Sequence, residues 1–257
     1  MQLIIRNLYT GYKSGKEEKI ISNDLNINFK DGDFVSLLGC NGGGKSTFLK
    51  TVAGFLSPLR GEILVDSQSL EAMSPKERSR MVSVVLTGRL SNMVSSVAEV
   101  VGLGRSPYTG RWGCLSQEDK TVVHECLKLV GAESLSDREI TSLSDGEYQK
   151  VMIAKALAQD TPVILLDEPS AFLDFPSKVE LMVLLRQLAV EKGKIIIQST
   201  HDLNLAVPLS SKLLLLDRRI GCEYGSKEEL VSSGVLSKYF SSPYIDFNSE
   251  TSLFVIK

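Results

Sequence analysis

The residues with the clearest chemical potential run from Gly39 to Thr47, Gly-Cys-Asn-Gly-Gly-Gly-Lys-Ser-Thr, a match to G-x-x-x-x-G-K-[ST]. Glycines let a backbone close around an anion with its N–H groups inward, where a side chain would collide with the ligand. Lys45 adds a compact charge for terminal phosphates, and Ser46 offers a hydroxyl to a magnesium ion at the positive end of a helix. Roughly one random chain in a hundred of this length would carry the pattern, so its weight depends on the flanks. These fit: Phe34 to Leu38 reads as a buried strand, and Phe48, Leu49, Val52 and Ala53 recur at helical spacing.

Further candidates follow other apolar runs. Val163 to Asp167 reads as a buried strand ending in acid, and a carboxylate there can bind magnesium directly or through water, completing the set begun by Ser46. Glu168, one residue on, points elsewhere and is free to polarise an attacking water. His201 follows the strand Ile195 to Ser199 and is expected to reach a γ-phosphate and orient that water. His124, among Lys120, Glu125 and Lys128, reads instead as a solvated helix face. Thr87 closes the strand Val82 to Leu86. Leu143-Ser144-Asp145-Gly146-Glu147, taken alone, is a helix start capped by Ser144.

The elements that must position these groups can be read in order. Leu3 to Leu8 and Leu25 to Phe29 read as strands, with a polar loop from Thr10 to Gly15 in which Tyr12 is expected to stack on a nucleobase, Tyr9 being its competitor. Gly61 to Val65 is a further strand, and Ser74-Pro75-Lys76-Glu77 is a capping box opening a short helix. From Val97 to about Gln159 the pattern turns helical, with Val97 to Leu103, a turn-rich stretch from Arg105 to Gly113, and Ser116 to Leu129 stopped at Gly131. A helical subdomain (about 88–159) is therefore expected inside one core made of about 1–87 and 160–257. Pro176 to Lys192 is a helix ended by Gly193, and Leu213 to Leu216 another strand. The β-α-β alternation predicts an α/β fold with a mainly parallel sheet, whose ligands gather at the strands' carboxyl ends. The tail from Gly221 has room for one helix, Lys227 to Ser233, and a last strand, Thr251 to Ile256.

Of the 257 residues 43% are hydrophobic, ordinary for a globule, and no apolar run approaches the roughly 18 to 20 residues that span a bilayer. The start, Met-Gln-Leu-Ile-Ile-Arg, lacks the apolar region of a signal peptide, so a cytoplasmic location is expected. The four cysteines, Cys40, Cys114, Cys126 and Cys222, form no C-x-x-C pair and read as reduced thiols. A net charge of -2 argues against a nucleic-acid partner.

Taken together and in this order, Gly39 to Thr47, Leu143 to Glu147, Val163 to Pro169, Ser170 to Asp174 and Ser199-Thr200-His201-Asp202 resemble the ATPase subunit of an ABC transporter over nearly the whole chain. The segment Val97 to Asp119, with Val-Gly-Leu-Gly-Arg-Ser-Pro-Tyr-Thr-Gly and Leu-Ser-Gln-Glu-Asp, is similar to the ATPases of iron-siderophore, haem and cobalamin importers. The resemblance implies a P-loop NTPase core with an N-terminal antiparallel β subdomain and an inserted helical one. ATP and Mg²⁺ are then the cofactors, with Tyr12, Gly39, Asn41, Gly42, Gly43, Gly44, Lys45, Ser46 and Thr47 contacting nucleotide, Lys45, Glu168 and His201 catalytic, and Ser46, Asp167 and Thr87 toward the metal. It further implies a head-to-tail homodimer with ATP between one loop and the partner's Ser144, Gly146 and Glu147, Asp174 lying near that interface. Permease subunits, and indirectly a substrate-binding protein, are the implied partners at the inner face of the cell membrane.

Two positions depart from the family pattern. Asp145 stands where the family usually has a glycine. At about 6 Å from a γ-phosphate and an effective dielectric of about 20, its carboxylate would cost roughly 3 kcal/mol, so it is expected to turn away toward a nearby cation. Thr87 stands where a glutamine is usual and is expected to reach the ion through a water. A soluble ABC-type machine and a weakly hydrolysing nucleotide-dependent regulator are the alternatives. The motifs occur once and no heptad run exists, which disfavours the first.

Overall fold

The computed structural model describes residues 1–15, 17–89, 94–110 and 113–257. Strands β1 (Gln2–Ser14) and β2 (Glu17–Lys30) pair antiparallel, then β3 (Phe34–Leu38) runs fully buried to the glycine loop and α1 (Lys45–Val52). Next come β4 (Arg60–Val65), β5 (Gln68–Ser69), α2 (Pro75–Met81) and β6 (Val82–Val85). Helices α3 (Val97–Gly102), α4 (Gln117–Leu129) and α5 (Asp145–Ala158) pack on one another. The chain continues through β7 (Val163–Asp167), α6 (Phe175–Lys192), β8 (Ile195–Ser199), α7 (Leu203–Leu209), β9 (Lys212–Asp217) and β10 (Gly221–Ser226). It closes with α8 (Lys227–Ser232), α9 (Val235–Phe240), β11 (Ile245–Asn248) and β12 (Leu253–Ile256).

The central sheet has the order β10-β9-β3-β8-β7-β6, parallel except for β10 at its edge. Its strands alternate between two cores. Phe34, Ile164, Leu166 and Ile196 face α5 and α6, while Val35, Leu37, Val163, Leu165, Ile195 and Ile197 face α1 and the β1–β2–β4 sheet. Each such side chain contributes about 1.5 to 3 kcal/mol by leaving water. Apolar burial on both faces explains why these strands read as unbroken hydrophobic runs, and it leaves the strand ends for polar chemistry, ligands of such sheets gathering at the carboxyl ends.

One local device recurs at the helices. Ser74, Ser96, Ser116, Ser144 and Ser226 each close a capping box, with Glu77, Glu99, Asp119, Glu147 and Glu229 as the returning acids. Each box satisfies amide donors that a helix start leaves without partners.

Two expectations need correction. The segment from Thr10 to Ser14 is not a loop but the end of β1, paired with Ser22 to Glu17 across register shifts. Its polar side chains hide this, but Gly11 lets the strands close up, since a Cβ there would collide with the Lys19 carbonyl. The tail holds two helices and three strands rather than one of each after Gly221. Short amphipathic pieces gave no period to read, and they are held instead by aromatic contacts between Phe254 and both Phe240 and Phe247, ring centroids 5.7 and 4.9 Å apart. Arg111 and Trp112 of the turn-rich stretch lie outside the described residues.

Arg105 ties the start of α4 to the end of α5. Its Nε donates to Asp119 Oδ1 at 2.8 Å, its Nη1 to the Ala158 carbonyl at 2.9 Å, and the Tyr108 ring lies 4.2 Å from the guanidinium. Arg105 first, then the Ser116 hydroxyl and amide, hold the Asp119 carboxyl down to about 2. A carboxyl depressed by folding stabilises above its unfolded value near 3.9, and loses that contribution as pH falls toward 2. Asp119→Asn is therefore expected to lower the melting temperature at pH 7 and to flatten the acid dependence of melting between about pH 4 and pH 2, followed by circular dichroism.

Candidate active site

The glycine loop is built against its neighbour strand. Gly39 leaves β3 at a point where a Cβ would collide with the Leu216 carbonyl of β9, and Gly44, at φ 109°, turns the chain into α1. The Gly43 amide closes the loop onto the Cys40 carbonyl at 2.9 Å. Lys45 is buried, and its ammonium bridges the carbonyls of Gly39 (2.8 Å) and Cys40 (3.3 Å), holding the loop open as a cradle. Burial pushes the Lys45 ammonium down from its ordinary value, while Glu168, Asp167 and Cys40 oppose the shift. Asn41, Gly42 and Ser46 are exposed beside it.

Tyr12 is joined to this loop, its hydroxyl 3.2 Å from Thr47 Oγ1. Its ring is exposed, whereas Tyr9 has the Arg60 guanidinium 5.3 Å above its ring.

Strand β7 brings Asp167 beside Ser199 of β8, in register. The Ser199 hydroxyl donates to Asp167 Oδ1 at 2.6 Å and accepts the Glu168 amide at 2.9 Å. Glu168 is a non-glycine residue in the left-handed region, φ 51°, a conformation costing about 1 to 3 kcal/mol that persists only where neighbours over-determine it. Its carboxylate Oε1 lies 2.6 Å from His201 Nε2. Lys178 of α6 anchors the segment after His201 through Asp202, at 2.8 Å. Ser199 is the residue that sequence reasoning left without a role. Its position one strand over from Asp167 was the only signal, and that depends on strand order.

A second group lies at the start of α5. Glu147 Oε2 accepts both the amide and the hydroxyl of Ser144 at 2.8 Å, bonds that, with Arg138 3.1 Å away, hold its carboxyl below the ordinary value. Gly146 faces the turn before α6, where a Cβ would sit 3.3 Å from the Phe172 carbonyl. Asp174 caps α6 through the Ser177 amide, which lowers its carboxyl. Asp145 meets a nearby cation, as expected: its Oδ1 accepts from Arg89 Nε at 2.9 Å, and Arg89 also donates to the Leu143 carbonyl at 2.8 Å. Because this is an exposed pair, Asp145→Gly should change ATP affinity by less than about fivefold, measured by calorimetry, and a tenfold tightening would contradict the orientation.

The geometry thus divides the predicted residues. Asn41 to Thr47 and Glu168 line one cavity, of about 160 Å³. Ser144, Gly146, Glu147 and Asp174 are not in its wall. Thr87, exposed after β6, lies instead in a larger groove of about 760 Å³ with Arg89, Tyr148 and Lys155. A glycine loop between a parallel strand and a helix, an acid closing the next strand but one, and a glutamate–histidine pair above it define a P-loop nucleotide-hydrolysing cassette.

The comparisons with known proteins agree. The ABC transporter family profile matches residues 22–171, and the chain belongs to this family of ATPases. The achromobactin transport ATP-binding protein of Dickeya dadantii is 35% identical over 92% of this chain and 86% of its own length. The iron(3+)-hydroxamate import ATP-binding protein of Bacillus subtilis is 32% identical over 88% of this chain and 84% of its own. Further relatives are named for petrobactin and cobalamin import. Among solved structures, one of an inward-facing ABC transporter provisionally placed in the metal-chelate type superposes with a TM-score of 0.81 at 29% identity, over 99% of this chain and 97% of that one. A dimeric cassette bound to ADP and Pi after hydrolysis superposes with a TM-score of 0.76 at 30% identity, over 88% and 98%. Cassettes of this family form dimers and act with permease subunits. Among the described residues no helix is long and apolar enough to cross a membrane.

Proposed function

We propose that this chain is the ATP-hydrolysing subunit of a membrane importer for an iron–siderophore complex or a corrinoid, with haem as the further cargo that the sequence resemblance suggests. It would work as a homodimer on the inner face of the cell membrane, bound to permease subunits that receive cargo from a substrate-binding protein. The observation that carries the reading is the separation of the two groups: one cavity is lined by the glycine loop, Lys45 and Glu168 but has no α5 N-terminus in its wall. A second copy, head to tail, supplies the missing half. The cargo class is supported by the names of the relatives.

The roles follow from position. The loop amides and Lys45 hold the phosphates, and Tyr12 takes the base. Ser46 and Asp167 suit a magnesium ion, because the serine hydroxyl is exposed at the first turn of α1 and Asp167 commits one oxygen to Ser199 and keeps the other. When bound, such an ion would neutralise phosphate charge, and Thr87 would reach it only through water. Glu168 accepts the proton of the water that attacks the γ-phosphorus, the bond to ADP breaks, and His201 stabilises the transferring group. The partner's Ser144 and Gly146 cap the γ-phosphate from a helix N-terminus, Glu147 holding that serine and Asp174 setting the interface. The groove beside Thr87 would seat a permease loop.

The test is uptake of labelled ferric siderophore, cobalamin and haem by cells lacking this chain, with and without its return. Loss and recovery of one of the three supports the proposal, and undiminished uptake of all three overturns the cargo class.

A further inference from the structure

Among the described residues, Arg218 near the phosphate loop has no structural employment. Asp217 ends β9, and its carboxylate accepts the amides of Arg219 (2.7 Å) and Ile220 (3.0 Å), which sets the turn into β10. Immediately before it, the Leu216 carbonyl is wedged against the glycine loop, where a Cβ on Gly39 would collide with it and one on Gly43 would lie 2.9 Å away. The turn is therefore held by its own aspartate on one side and by the loop on the other. Arg218, at its tip, lines the same cavity as Asn41 to Thr47 and Glu168. It is exposed, and among the described residues no hydrogen bond or ion pair occupies its guanidinium, unlike Arg105, Arg138 and Arg89.

The charges around that cavity make the arginine matter. Its charged lining residues are Lys45, Glu168 and Arg218. Lys45 already donates to two loop carbonyls, and Asp167 stands behind Glu168. Without Arg218 a triphosphate would meet at least as much acid as base. A guanidinium suits the task, being permanently charged and shaped to grip two phosphate oxygens.

We infer that Arg218 is a substrate-binding residue that contacts the terminal phosphate of the bound nucleoside triphosphate. This rests on the ATP-binding reading above and adds to it a contact from outside the glycine loop. Because Arg218 shares its cavity with Glu168, the base at the point of attack, it stands at the reacting end of the nucleotide. In the reading above the nucleobase lies on Tyr12, at the other end of the nucleotide. The contact is therefore made with ATP and largely lost with ADP.

Titration of the full-length chain with a fluorescent non-hydrolysable ATP analogue and with fluorescent ADP, both with Mg²⁺, tests this. In Arg218→Ala the dissociation constant for the triphosphate is expected to rise about tenfold and that for ADP less than about threefold. Arg218→Lys should recover part of the difference, and the alanine variant should show a weaker dependence of triphosphate binding on salt. Unchanged triphosphate affinity, or equal losses for both nucleotides, would overturn the assignment while leaving the ATPase reading in place. Wild-type protein that binds neither nucleotide would overturn both.

Discussion

Glu168→Gln is expected to slow ATP hydrolysis about a hundredfold to ten-thousandfold while leaving ATP binding intact. The amide keeps the size of the side chain and can still accept a hydrogen bond from His201, which lies 2.6 Å from the present carboxylate. What it cannot do is take a proton from water. The strained backbone at Glu168 does not depend on the side chain, because Ser199 holds it through the main-chain amide. The variant should therefore fold normally and accumulate, with Mg-ATP, as a dimer holding two nucleotides between its half-sites. Phosphate release measures the first effect and sedimentation the second. A residual rate within threefold of wild type would remove Glu168 from the role of base and favour a weakly hydrolysing regulator with another purpose. A monomer at saturating Mg-ATP, both alone and with its permease, would contradict the shared site.

Gly39→Ala should weaken ATP binding at least about a hundredfold, although position 39 carries no functional group. A Cβ there would run into the Leu216 carbonyl. That oxygen cannot yield easily, since β9 is locked to β3 by parallel pairing of Leu37 with Leu214 and Leu38 with Leu215. Relief must come from the loop, and moving Gly39 moves one of the two carbonyls that Lys45 grips. Overpacking of this kind costs about 1 to 3 kcal/mol by itself. The misplaced loop amides add the larger loss. Gly42→Ala is the comparison: nothing lies within 4 Å of a Cβ there, and only its φ of 75° resists substitution. Calorimetry on the two variants should separate them by at least about tenfold, and equal behaviour would show that the collision is not what matters.

Much of this site was legible because its parts are local. The glycine loop, the acid after an apolar run and the serine of each capping box need only a few adjacent residues to express their chemistry. The central strands were legible for the same reason, as two-sided burial makes them continuous apolar runs. The end of β1 was not, because Thr10 to Ser14 is polar and becomes strand only by pairing with β2. The β11–β12 hairpin is similar, its order coming from Phe240, Phe247 and Phe254 meeting across sequence.

The amino-acid sequence by itself determined that this protein has a glycine loop closed by a lysine, a strand-end acid pair, a histidine and a capped α5 start, since each is written in contiguous residues with fixed local geometry. Only the tertiary structure decided that Ser199 clamps both Asp167 and the Glu168 backbone, that Arg89 pairs with Asp145, and that Arg218 stands over the loop. Those pairings join residues that the order of strands in the sheet brings side by side, and strand order is a property of the packed core rather than of any one stretch of chain.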